Sequence, residues 1–264
     1  MRISVVTPVR NGLPFLQETL ESVLGQKGVD LQYRVVDGGS TDGTLELLRR
    51  YEKDLDGWIS EPDQGLYDAV GKGLAACDGA VLAYLNADDR YPDPHTLERV
   101  VEAFERDPAL SFVYGDYGVI DREGRRRGRI RIPACCVRPS LLGAAGFSFL
   151  SQPATFWRRS AYEAAGGVDR SFRLAGDYDL LLRLLRQGRA GKLKGILAEA
   201  RFHPGNLTAT AQERNRQELA RIARSFGTAT LWHQHCLRPL VLATYKACNL
   251  PWYLRRLRKG NPYG

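Results

Sequence analysis

Two periodicities alternate through the first hundred residues of this chain, and that alternation constrains the fold more than any other feature. Ile3–Thr7 reads as a short apolar strand, and Leu13–Gly25 follows as a helix with Leu16, Leu20, Val23 and Leu24 on one face. Tyr33–Val36 is a second strand. Ser40, Thr41 and Asp42 then offer capping oxygens to a helix over Thr41–Tyr51. The pattern repeats with a strand at Trp58–Ser60, a helix at Leu66–Ala76, a strand at Ala80–Leu85 and a helix at Thr96–Glu105, before a strand at Ser111–Tyr114. Strands that alternate with helices imply an α/β fold with a mainly parallel sheet.

The later part is less regular. Tyr117–Ile120 and Arg127–Ile132 flank Asp121–Gly124 and predict a β-hairpin, while the glycine-rich stretch 143–148 reads as a loop. Ala154–Arg158 is a candidate strand, Ser160–Ala165 a short helix stopped by Gly166-Gly167, Tyr178–Gln187 a helix, and Leu193–Ala200 a strand. Ala211–Phe226 is the clearest helix. The expected organisation is one α/β domain over 1–210 and a helical extension over 211–264.

The formal charge of +8 sits entirely in that extension, where ten Lys/Arg face two acids, Glu213 and Glu218. Such a block seeks an anionic surface, lipid or nucleic acid. Trp252-Tyr253 beside Arg255, Arg256, Arg258 and Lys259 suits a membrane interface. A helical appendage packed on the domain is equally expected, and the two are compatible. No uncharged apolar run approaches the ~20 residues of a spanning helix. The N-terminus enters strand-like sequence at once, so no cleaved leader is expected. Cys77, Cys135, Cys136, Cys236 and Cys248 lack C-x-x-C spacing, which suggests free thiols and a cytoplasmic setting.

Carboxylates gather in the loops after strands: Asp37 with Asp42, Asp63 with Asp68, Asp88 with Asp89, and later Asp177 with Asp179. A parallel sheet brings its strand ends together, so the first three clusters can line one cleft. Asp88-Asp89 ends an apolar strand with no base before Arg90; a divalent cation against a phosphate would make that pair favourable, although a plain turn explains it too. A nucleotide-sugar site uses such groups, one of them as general base on a hydroxyl. No G-x-x-x-x-G-K-[ST] loop is present. Gly71-Lys72-Gly73 lies inside a helix pattern rather than after a strand, which weighs against kinases, GTPases and dehydrogenases.

Five blocks in order resemble a known family: Ser4–Asn11, Val35–Thr44, Glu61–Ala69 with Lys72-Gly73, Asn86–Asp89, and Ala175–Tyr178. Over about residues 2–208 the chain resembles the family 2 glycosyltransferases of the GT-A fold, of the bacterial polysaccharide-biosynthesis type. The resemblance implies that Thr7, Pro8, Val9, Asn11 and Asp37 meet base and ribose, with Asp68, Lys72 and Asn86 as further donor contacts. It implies Asp88 at the donor's ribose or sugar, and Asp89 with His203 as ligands of Mn²⁺ or Mg²⁺. Asp177 would deprotonate the acceptor, in a single displacement with inversion at the anomeric carbon. Gln152 and Trp157 would line the acceptor side. The donor so implied is a nucleotide-sugar, first of all a UDP-sugar, and the acceptor a glycan or a polyprenyl-diphosphate-linked lipid. The expected setting is cell-surface polysaccharide assembly, in the cytoplasm or on the inner membrane face.

Three positions depart from the family pattern. Gly38 stands where many relatives carry a second acid, Asn86 replaces the first acid of the D-x-D-type motif, and Gly176 replaces the acid before the base. Plain structural roles also stand beside the functional ones. Asp42 can cap a helix, Asp68 and Lys72 can form a solvated i, i+4 pair, Asp179 can face solvent, and His203 can be a turn residue. Arg125-Arg126-Arg127 suits an exposed hairpin face, or a reach toward a diphosphate lipid. Other functions are a nucleotidyltransferase and an inactive nucleotide-sugar-binding protein. The first would carry a Gly- and base-rich loop where Pro8–Leu13 has only Gly12 and Arg10. Nucleic acid is not an expected partner, because few aromatics interleave with the tail's charges and the acidic cleft repels it.

Overall fold

The structure is a computed structural model that describes residues 1–146, 148–206, 211–228 and 233–259, with backbone alone at 144, 233–234 and 255–259. Leu207 and Thr208 of the last family-like segment, and the side chains of Arg255, Arg256, Arg258 and Lys259, lie outside the described residues.

Four parallel strands form one half of the sheet, in the order β3 (Gly57–Ser60), β2 (Asp30–Asp37), β1 (Arg2–Val9) and β4 (Val81–Tyr84). Helices α1 (Leu13–Leu24), α2 (Thr44–Tyr51) and α3 (Leu66–Ala75) connect them in turn. β1 and β4 are buried along nearly their whole length because both faces are covered, whereas the edge strand β3 is partly exposed. Val5 points to the side packed by Leu16, Leu20 and Val23 of α1 and by Val100 and Phe104 of α4 (Thr96–Arg106). Val6 points to the opposite side, against Val70 and Leu74 of α3. At Gly73 a Cβ would come within 2.4 Å of Val6 Cγ1, so only glycine lets α3 lie this close to β1.

The other half is mixed. β5 (Leu110–Ile120) runs through it, and β7 (Thr155–Arg158) is wedged antiparallel between β4 and β5. β6 (Arg126–Ile130) pairs antiparallel with the far end of β5, and β8 (Arg189–Arg201) runs parallel to nearly all of β5. The strands expected at 111–114 and 117–120 are thus one bulged strand. The last expected strand starts earlier than 193 because β5 offers a partner along its length.

Part of the glycine-rich stretch expected as a loop is helical instead. α5 (Pro139–Ala145) opens on a proline, buries Leu142 and Ala145, and stops at Gly146 with φ 72°. α6 (Arg159–Ala164) and α7 (Gly176–Leu184) follow. The helix expected from Thr41 begins at Thr44. Asp42 Oδ1 accepts the Thr44 N–H and hydroxyl and Oδ2 accepts the Leu13 N–H, bracing two helix starts together. Asp179, expected at the solvent, is buried on α7 and paired with Arg183 at 2.7 Å.

The extension packs on the domain through α8 (Gln212–Ser225), α9 (Arg238–Cys248) and α10 (Leu250–Lys259). Ile222, Val241 and Tyr245 belong to the same core as Val6 and Val70. Buried Asn249 bonds both backbone groups of Arg131 beyond β6, at 2.7 and 2.9 Å. Among the described residues no helix is long and apolar enough to cross a membrane.

Candidate active site

The parallel strands end around a cavity of about 810 Å³, at the edge where open α/β sheets bind ligands. Pro8, Val9, Arg10 and Asn11 after β1, and Asn86, Ala87 and Asp88 after β4, form one wall. The far wall comes from later chain: Gln152, Arg173, Leu174 and Asp177, with the turn His203–Asn206 and Arg122 at the side.

The turn after β4 sends its two acids in opposite directions. Asp88 stays partly exposed, its Oδ2 3.1 Å from His203 Nε2 and accepting the Asn206 side-chain amide at 3.2 Å. Asp89 turns inward and is 5% exposed. Its Oδ1 accepts the Arg201 N–H at 2.9 Å, its Oδ2 accepts Asn86 Nδ2 at 3.3 Å, and its carbonyl accepts the Thr19 hydroxyl at 2.7 Å. Burial, reinforced by the charge of Asp88, holds its carboxyl well above the ordinary range. Asp89, expected as a metal ligand, is held inward by these bonds, and Asp88 lines the cavity.

Arg201 organises this corner, and sequence reasoning missed it. Its Nε donates to the Asp88 carbonyl at 2.9 Å, and Nη1 donates to the Asp121 and Arg122 carbonyls at 3.0 Å each. Nη2 pairs with Glu18, and the guanidinium lies 4.8 Å from the Phe15 ring centre. The other signal was available only in space: Phe15 packs on His203, with ring centres 4.9 Å apart.

Asp177 occupies the first turn of α7. The Tyr67 hydroxyl, from α3, lies 3.1 Å from its Oδ1 and accepts the Asp177 N–H at 3.2 Å. Burial raises the Asp177 pKa, and the hydrogen bonds to its ionised form work against that shift. Two acceptors nearby have no partner: Asn86 Oδ1 and Gln152 Oε1 are both buried and belong to cavity-lining side chains. Gln152 is itself 6% exposed and anchored through Nε2 to the Tyr84 carbonyl at 2.5 Å. An unpaired buried acceptor is costly unless a ligand donates to it.

The profile of glycosyl transferase family 2 matches residues 4–166, more than half of the chain. The chain belongs to that family. An uncharacterized glycosyltransferase of Mycobacterium tuberculosis is 34% identical over 182 residues, 69% of this chain and 68% of the relative. A PGL/p-HBAD biosynthesis glycosyltransferase of Mycobacterium bovis is 27% identical over 183 residues, 68% of each chain. Among solved structures, S. aureus TarS 1-349 in complex with UDP-GlcNAc superposes with a TM-score of 0.70 at 16% identity. It covers 98% of this chain and 74% of that one. The mannosyltransferase PcManGT from Pyrobaculum calidifontis, in complex with GDP-Man and Mn2+, reaches 0.66 at 20% identity, covering 98% and 76%. These neighbours establish the GT-A fold.

Within this family 2 glycosyltransferase the expected site residues divide. Pro8, Val9, Asn11, Asn86, Asp88, Gln152, Asp177 and His203 line the cavity. Thr7, Asp37, Asp68, Lys72, Asp89 and Trp157 do not, and each has an internal reason. Thr7 is fully buried against the Tyr33 hydroxyl at 2.8 Å. Asp37 accepts the Gly39 and Ser40 N–H groups and the Ser40 and Ser60 hydroxyls, which makes it the organiser of the turn after β2. Asp68 pairs with Lys72 at 3.1 Å and Arg170 at 3.3 Å, and Lys72 with Glu61 at 2.8 Å. Trp157 is buried between Tyr84 and Tyr162.

The cavity's donor set suits a hard divalent cation. Among the described residues no group of three His, Cys, Asp or Glu is placed to hold one, so the protein would offer Asp88 and His203. Magnesium-type sites commonly use one or two protein ligands and draw the rest from substrate phosphates and water.

Proposed function

We propose that this protein is an inverting glycosyltransferase that moves a sugar from a nucleotide-sugar, first of all a UDP-sugar, to a hydroxyl of a glycan or lipid-linked acceptor. The observation that carries this is the convergence of Asp177 and the Asp88–His203 pair on the lining of one cavity. Asp177 takes the proton of the acceptor hydroxyl, and its raised pKa makes it a better base than an ordinary carboxylate. The acceptor oxygen bonds to the anomeric carbon as the bond to the diphosphate breaks on the opposite face, and the nucleoside diphosphate departs. Asn86 Oδ1 and Gln152 Oε1 accept hydrogen bonds from sugar hydroxyls, and Arg10, Arg122 and Arg173 supply positive charge toward the phosphates. Asp88 and His203 would hold Mn²⁺ or Mg²⁺, which offsets the charge developing on the leaving diphosphate.

The related names support the same assignment. TarS is solved with UDP-GlcNAc, PcManGT with GDP-Man and Mn2+, and a Myxococcus xanthus O-antigen biosynthesis protein is 31% identical over 221 residues, 80% of this chain but 16% of that protein. A thermal-shift panel of UDP-, GDP-, dTDP- and CDP-sugars with Mn²⁺ or EDTA tests it. One nucleotide class should raise the Tm by roughly 5–10 °C at about 100-fold over its Kd, and by less in EDTA. No shift with any nucleotide would overturn the assignment.

The extension's outer side fits an anionic membrane as the acceptor's location. Leu240, Leu250 and Leu254 are exposed there, in a segment rich in basic residues. Removal of residues 250–264 should weaken co-sedimentation with vesicles of anionic phospholipid; equal binding by both forms would refute membrane association.

A further inference from the structure

The helix that opens the extension also grips the segment in front of Asp177. One oxygen of the Glu218 carboxylate, on α8, accepts the Arg173 N–H, and the other accepts those of Leu174 and Ala175, all at 2.9 Å. These are consecutive amides leading into the first turn of α7, where helix N–H groups lack internal partners. A carboxylate at that place gains charge-assisted bonds and a favourable interaction with the helix dipole. Three residues further along α8, Arg221 donates to Ser171 Oγ at 2.8 Å, pairs with Asp169 at 3.0 Å, and lies 4.3 Å from the centre of the Phe172 ring. Ile222, beside it, is buried in the core. The gripped segment is not remote from the chemistry, since Arg173, Leu174 and Asp177 line the cavity.

We propose that Glu218 is a positioning residue for glycosyl transfer, fixing the 173–175 backbone so that Asp177 faces the acceptor side, and that α8 thereby belongs to the catalytic apparatus. This rests on Asp177 as the base. The clamp also acts through charge. Asp177 is faced by the Tyr67 hydroxyl from α3, Tyr84 from β4 and Glu218 from α8, with Arg173 on its own segment. Glu218 adds to burial in disfavouring a second negative charge at Asp177, whereas the Tyr67 hydrogen bond favours it. Glu218→Gln removes the charge and keeps at most the bonds from Leu174 and Ala175, because its amide NH2 cannot accept the Arg173 N–H; Glu218→Ala removes the charge and all three bonds.

The test uses the full chain and three readouts. The Asp177 carboxyl is titrated by ¹³C NMR, with the resonance assigned by its loss in Asp177→Asn. Amide exchange is followed at residues 173–175, and nucleoside diphosphate release is measured from the nucleotide-sugar that gives the largest thermal shift. In Glu218→Ala, exchange at 173–175 should accelerate by at least about tenfold, as each amide loses its partner. Turnover should fall about 10- to 100-fold while donor Kd stays within about twofold, because a misplaced base costs rate rather than donor affinity. In Glu218→Gln the Asp177 titration should move to lower pH, a change that a purely structural helix cap would not produce. Should Glu218→Ala fail to fold, Glu218→Gln carries the test. If both variants keep wild-type turnover and titration while Asp177→Asn is inactive, the positioning role is overturned and the base assignment stands. If Asp177→Asn remains active, the base assignment falls, and the exchange and titration data alone decide whether Glu218 orients that side chain.

Discussion

The two walls of the cavity present carboxylates in different ways. Asp88 follows directly on β4 in a turn closed locally by the Asp89 N–H donating to the Asn86 carbonyl at 3.1 Å. Its place is set by topology, because every parallel strand in this half ends at the same edge. Asp177 follows no strand. It stands at a helix start fixed by Tyr67, 110 residues earlier, and by Glu218, 41 residues later. The wall that carries Asp88 is thus set by the sheet, while the wall that carries Asp177 is assembled by side chains from distant segments. The family profile matches residues 4–166, which ends before Asp177 and the whole of α8. A fold can keep one wall constant and vary the other by changing what packs against α7.

The largest effects should come from removing one carboxylate on each wall. Asp177→Asn should lower turnover by about 10²–10⁴-fold, the usual range for a general base, with the donor-induced thermal shift intact. Asp88→Asn should instead abolish the difference between Mn²⁺ and EDTA in that shift, along with turnover. A metal-dependent shift that survives Asp88→Asn, or a donor shift lost in Asp177→Asn, would break the division between the walls.

How much of each wall was legible follows from the same contrast. The strand–helix units over residues 2–105 could be read because burial leaves apolar stretches in the middle of β1 (Val5-Val6), late in β2 (Val35-Val36) and throughout β4, and the acids after them were easy to see. Whether such an acid looks out or in could not be read. Asp37 is turned inward partly by Ser60, 23 residues on, and Asp89 by the Arg201 backbone, 112 residues on. The Arg201 backbone that draws Asp89 inward carries no motif. The burial of Trp157 was illegible for a similar reason: an aromatic at a strand pattern says nothing about which layer covers it. On the wall of Asp177 the helix and Asp177 were legible, but Glu218 was read only as one of two acids in a basic segment. His203 was flagged, yet its partners in space, Phe15 and Asp88, lie 188 and 115 residues earlier in the chain.

The smallest effect is also the sharpest probe of the Asp177 wall, because it sets the two segments that fix it against each other at one carboxyl. Burial disfavours the ionised form of Asp177, so its pKa stands above that of an ordinary aspartate. The base must be ionised to work, so turnover falls as pH drops through that raised value, and the acid limb of the rate profile lies higher than a solvent-exposed aspartate would place it. The Tyr67 hydroxyl stabilises the charged form, while the charge of Glu218 destabilises it. Tyr67→Phe should therefore move the acid limb to higher pH and Glu218→Gln should move it to lower pH. One neutral hydrogen bond is involved in Tyr67→Phe, so its turnover on the alkaline plateau should stay within about tenfold of wild type. Opposite displacements in the pH profiles of kcat would show that α3 and α8 tune the same group from the two sides of the molecule. Displacements of the same sign would mean that both substitutions act only by loosening the packing around Asp177.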